Sequence, residues 1–256
     1  MAKTVARISR GAGVTLHLVF NLIIAGIAIF GPAAFGTPIV GFVAVLLLKW
    51  RTFVVRPRFW LVNLMGALVD IMAGVGFVYL SYALGEIQIL HFVLLAAYLL
   101  WLLVLKTRVS ENAMLVQALI ALFLFGATIM LGLTGGWLVL GVVAAFLAGL
   151  AAARHILSAS DDHNYEVVLP MCGLMTATIY LISTQFLIVY DFGGLLLPQG
   201  AFLMATGLWL WVVAYRHITR HDGKIAWSLE SALPILLPLV VFLILIIAFS
   251  APLYAF

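Results

Sequence analysis

A chain of 256 residues with 66% apolar and only 9% charged side chains departs sharply from soluble proteins, in which about 25% of residues are charged. A fold in water is excluded, and so is a transmembrane barrel, whose strands alternate apolar and polar residues over about 10 positions. The net charge of +4 is explained by topology below rather than by nucleic acid, and no nucleic-acid partner is expected.

Apolar runs long enough to cross a hydrocarbon core of about 30 Å, separated by charges and Gly/Pro turns, predict helices near 11–30, 33–48, 59–84, 87–105, 113–132, 136–153, 167–190, 194–215 and 232–253. The fold class is therefore all-α: a polytopic integral membrane helical bundle of about nine spans. Lys3, Arg7 and Arg10 precede the first run as in a signal peptide. His17 and Asn21 inside that run, and the further spans, mark it as a retained first helix.

With the N-terminus cytoplasmic, the inner segments are 1–10, 49–58, 106–112, 154–166 and 216–231. All thirteen lysines and arginines fall in them. The outer turns, near Gly31-Pro32, Gly85-Glu86, Thr134-Gly135-Gly136 and Asp191-Phe192-Gly193-Gly194, have none. This positive-inside pattern predicts a cytoplasmic N-terminus, an external C-terminus and residence in the bacterial inner membrane. Tryptophans and tyrosines near span ends, among them Trp50, Trp60, Trp101, Trp137 and Trp227, read as interfacial anchors.

Arg154-His155-Ile156 recurs as Arg216-His217-Ile218, and each is followed by Glu-x-x-x-Pro, at Glu166/Pro170 and Glu230/Pro234. Lys49-Trp50-Arg51 is echoed by Lys106-Thr107-Arg108. These echoes suggest tandem two-helix hairpins at 33–84, 87–132, 136–190 and 194–253 after a first helix at 11–30, within a single transmembrane domain.

Asp70 is the sharpest chemical signal. It lies well inside the third predicted span, where a charge costs about 2.5–3.5 kcal/mol. It is expected to face the bundle interior and to be neutral or partnered. Asn21, Tyr98, Thr176, Thr178 and Thr206 come from similar depths, predicting a midplane polar cluster that binds a proton, ion or substrate; the structural alternative is a hydrogen bond between Asp70 and Asn21. No lysine or arginine is expected at the midplane beside Asp70. That excludes a retinal Schiff base in the late helices and an arginine voltage sensor.

His17 and His91 lie at different depths, which disfavours a shared haem. At the cytoplasmic face Asp161, Asp162 and His163 are candidates to meet His217 and His221, four residues apart, around a divalent cation bearing a lipid phosphate. Cys172 stands alone, so there is no disulfide framework. No cofactor is predicted, and no nucleotide-binding or protease motif is present. These features point to a small permease-like or channel-like protein whose environment is the lipid bilayer. The alternatives are a non-enzymatic scaffold or subunit associated with other membrane proteins, and a lipid-modifying enzyme using the cytoplasmic Asp/His loops.

Overall fold

The computed structural model describes residues 2–50, 54, 56–158 and 165–220. The predicted ninth span, 232–253, and the second Glu-x-x-x-Pro copy lie outside them. The described chain is helical, and five of its segments are long and apolar enough to cross a membrane: Leu18–Phe35, Asn63–Ala83, Glu111–Gly132, Gly135–Leu157 and Val168–Gln185. It forms two compact units, residues 1–109 and 110–256. Their boundary falls inside the predicted hairpin 87–132.

In the first unit α1 spans Ala2–Phe35, α2 Ile39–Leu47, α3 Trp60–Ala83 and α4 Ile89–Leu100, the last continuing as a π-helical turn over Trp101–Leu105. The helix α1 does not turn at Gly31-Pro32. It runs through Pro32 and ends where Gly36 takes the left-handed conformation (φ 64°) that glycine adopts without a steric cost. The chain then re-enters as α2, which has only nine residues, about 13.5 Å at the α-helical rise. The predicted second span, 33–48, is thus divided between the end of α1 and a helix less than half as long as a membrane core is thick.

Side chains sort along α1 as they do in a helix that faces lipid. Leu18, Leu22 and Ile23 are exposed, whereas Ala25, Ala28 and Ile29 are fully buried. Small residues on the inner stripe let backbones approach, and lipid accepts the large ones outside.

Helix α2 packs antiparallel on α3 in a register that can be read residue by residue. A Cβ built on Gly41 would meet Val78 Cγ1 at 2.6 Å, and one built on Gly74 would meet Val45 Cγ1 at 2.7 Å. Residue 41 therefore lies opposite 78, and 45 opposite 74. One helical turn further on, 49 falls opposite 70. Each rung sets a side chain against a glycine until the last, where a lysine meets an aspartate.

In the second unit α5 spans Glu111–Gly132, α6 Leu138–Leu157, α7 Tyr165–Gln185 and α8 Gln199–Arg220. Ser110 caps α5, its hydroxyl accepting the Ala113 N–H at 3.3 Å. The most extensive packing joins α6 to α7 along a seam of small residues, Gly141, Ala145 and Gly149, spaced four apart. Thr176 donates its hydroxyl to the Ala145 carbonyl at 2.8 Å across this seam, and Tyr180 donates to the Leu133 carbonyl. Helix α8 is comparable in length to the five spanning segments. It carries Trp209, Trp211, Tyr215 and Arg216 from its middle onward and is not one of them.

The connection from α7 to α8 departs from the all-helical expectation. Val189–Phe192 (β1) and Leu195–Pro198 (β2) pair antiparallel, with Phe192 opposite Leu195 and Gly193-Gly194 as the two-residue loop. Both glycines have positive φ (66° and 94°), as the tight turns that match strand twist require. Asp191 Oδ1 accepts the Gly194 N–H at 2.6 Å and locks the turn. The ends of the predicted spans 167–190 and 194–215 are therefore strand. The turn at Gly193-Gly194 stands as expected, and the residues flanking it are strand rather than helix.

Candidate functional site at Asp70

Asp70 is brought into contact with two lysines. Lys49 Nζ donates to Asp70 Oδ2, and Lys106 Nζ lies 3.2 Å from the same oxygen. This corrects the expectation that no basic residue would reach Asp70 at its depth. The expectation treated Lys49 and Lys106 as surface residues capping full-length spans. Instead α2 stops after nine residues, so Lys49, just past its C-cap, is delivered beside the middle of α3.

The second lysine arrives through the π turn. The Lys106 N–H donates to the Trp101 carbonyl at 2.9 Å, five residues back, so one extra residue is accommodated before Lys106 than in an α-helix. Such single π turns concentrate at functional sites. The site is therefore assembled from the ends of α2 and α4 and the interior of α3. Its exposure is graded, with Lys49 8%, Asp70 19% and Lys106 37% accessible.

Two ammonium groups against one carboxylate leave the triad with an excess of positive charge. The electrostatic imbalance is visible in the sequence as well. Residues 1–109 contain nine of the thirteen lysines and arginines but only two carboxylates, Asp70 and Glu86. Glu86 is exposed in the turn beyond the far end of α3, about 20 Å from Asp70 at the α-helical rise.

Tyr98 belongs to the same neighbourhood. It is 1% exposed, tilts against Phe77 with ring centroids 5.1 Å apart, and its hydroxyl lies 3.2 Å from where a Gly74 Cβ would stand. Gly74 is one turn along α3 from Asp70, so Tyr98 covers the site from that side. Asn21 is buried in α1, and the Asp70 carboxylate is engaged by lysines in its place.

The three threonines belong to the second unit. Thr176 is fully buried in the α6–α7 seam, also contacting the carbonyls of Cys172 and Gly173 at 3.0 and 2.9 Å. Thr178 is exposed on α7 and Thr206 half-buried on α8. Also in that unit, Gln117 and His155 meet at 2.8 Å and Arg216 lies 3.6 Å from Glu111, two polar links that the sequence reading did not anticipate.

Asp161, Asp162, His163 and His221 lie outside the described residues, as does the His217 side chain. Among the described residues no cluster of His, Cys, Asp or Glu is suited to a metal ion. His91 is fully buried at the start of α4. Its Nδ1 accepts the Gln88 N–H at 3.2 Å, and its Nε2 has no partner among the described residues. Trp101, expected as an interfacial anchor, is instead 1% exposed. Trp50, Trp60 and Trp137, at 51%, 42% and 64%, keep the exposure an anchor needs.

The signal that would have found the site was present. Gly41, Val45 and Lys49 are spaced four apart, as are Asp70, Gly74 and Val78, and opposed antiparallel they interlock small against branched and plus against minus. Comparison with protein-family models, with curated proteins and with solved structures finds no match to the chain.

Proposed function

We propose that this is a small permease-like or channel-like multi-pass membrane protein whose solute site is the Lys49–Asp70–Lys106 triad. The observation that carries the reading is a charged cluster built inside an apolar bundle by the ends of two helices and the interior of a third. Charged groups within membrane helices are costly and mark ion and substrate paths. Irregular backbone and half-length helices at membrane depth are tolerated where they line such paths, and α2 and the π turn of α4 supply both. The proposed setting is the bacterial inner membrane, with the N-terminus cytoplasmic and the remaining predicted spans completing the bundle.

Asp70→Asn tests this in proteoliposomes. The variant is expected to alter solute uptake and its pH dependence while the protein remains folded.

A second reading has an observation of its own. The triad is the last rung of the α2–α3 register, as a clamp holding three helices would be, and a scaffold or complex subunit would need nothing more. On that reading Asp70→Asn lowers the melting temperature and leaves transport untouched.

A further inference from the structure

Resting on the reading of the triad as a solute site, we infer that the group it takes is a phosphate-type oxyanion, held between Lys49 and Lys106 in competition with Asp70.

Charge is the first argument. Two ammonium groups converge on a single carboxylate oxygen, leaving a net positive charge where Lys49 is only 8% exposed and water contributes little screening. No other carboxylate of residues 1–109 balances it, because Glu86 is in the turn at the opposite end of α3. An anion drawn to the two ammoniums would balance that excess.

Donor chemistry is the second argument. Each ammonium has three N–H donors and no acceptor, and lysine binds phosphate as a compact point charge. Two ammoniums from separate helix ends suit an acceptor group with several oxygens. Asp70 offers both lysines one oxygen, and so acts as the internal counter-ion that holds them in place. Access is the third argument: Lys106, at 37% exposure, is the open side of the triad.

The same chemistry serves free phosphate and the head group of an acidic phospholipid. The test is therefore run on full-length protein in two nanodisc compositions, pure phosphatidylcholine and phosphatidylcholine doped with phosphatidylglycerol. Inorganic phosphate is titrated by calorimetry, and retained lipid is read by native mass spectrometry.

In phosphatidylcholine, saturable phosphate binding is expected. It should weaken at least about tenfold in Lys106→Gln and tighten in Asp70→Asn, which removes the competitor. If doping with phosphatidylglycerol abolishes phosphate binding, and Lys106→Gln releases the retained phosphatidylglycerol, the inference holds with the lipid head group as occupant.

Absence of saturable binding by either probe overturns the inference, as does binding indifferent to both substitutions. Should Asp70→Asn abolish uptake of an inorganic cation while neither anion binds, the inference falls and the solute-site reading survives. Loss of both signals removes both. Lys106→Gln, on the accessible lysine, keeps the test decisive if Asp70→Asn fails to fold.

Discussion

Lys49 and Lys106 share one carboxylate but differ in what surrounds them, and their roles should separate experimentally. Lys49 is 8% exposed and Lys106 37%. Lys49→Gln, which leaves a buried position without its charge pair, is expected to lower both the melting temperature and anion binding. Lys106→Gln, at the open side, should lower binding while the melting temperature holds. Calorimetry and thermal melting of both variants check this, and identical behaviour of the two would contradict separate roles. Neither lysine's role was legible from the positive-inside pattern, which counts basic residues by loop and ignores how far a helix extends. Asp70 was legible because an acid deep in an apolar run has few innocent explanations; its partners depended on α2 ending early.

At the level of helices, glycines decide how closely the elements approach. A side chain at Gly41 would meet both Val78 and the Ala28 carbonyl oxygen, the latter at 2.9 Å, and backbone cannot yield as a side-chain tip does. Gly41→Val is expected to destabilise the first unit by about 1–3 kcal/mol and to misplace Lys49, so thermal melting and anion affinity should fall together. The α6–α7 seam of the second unit offers the contrast. A Cβ on Gly149 would lie 2.1 Å from Thr176 Oγ1 and 2.6 Å from the Cys172 carbonyl oxygen, so Gly149→Leu should unfold this helix pair. Thr176→Val, which removes only the hydroxyl, should cost about 0.6 kcal/mol, an average interhelical hydrogen bond in a membrane protein; a calorimetric loss several times larger would mean that Thr176 does more than bridge two helices. The seam's four-residue spacing of small residues was readable in the sequence. The β1–β2 hairpin was readable too, from Gly193-Gly194 between apolar runs, but a search for long apolar stretches passes over short strands.

For the molecule as a whole, composition was sufficient to place the chain among helical proteins suited to a bilayer, because apolar content on every face of a helix leaves few other solvents. The number of crossings was less legible, since hydropathy measures length in sequence rather than in space. Residues 33–48 make a continuous apolar run, yet Gly36 breaks it and the remainder forms a helix of nine residues. The early end of that helix also builds the site, by bringing a lysine beside Asp70. The central claim is that this triad handles solute rather than merely fastening helices. Its most direct test is the transient current from protein on a solid-supported membrane when phosphate is jumped on one side, native against Lys106→Gln. A current in the native protein that falls at least about tenfold in the variant, with an unchanged melting temperature, is the predicted result. Equal currents in both proteins, or no current in the native protein while Lys106→Gln lowers the melting temperature, would contradict it.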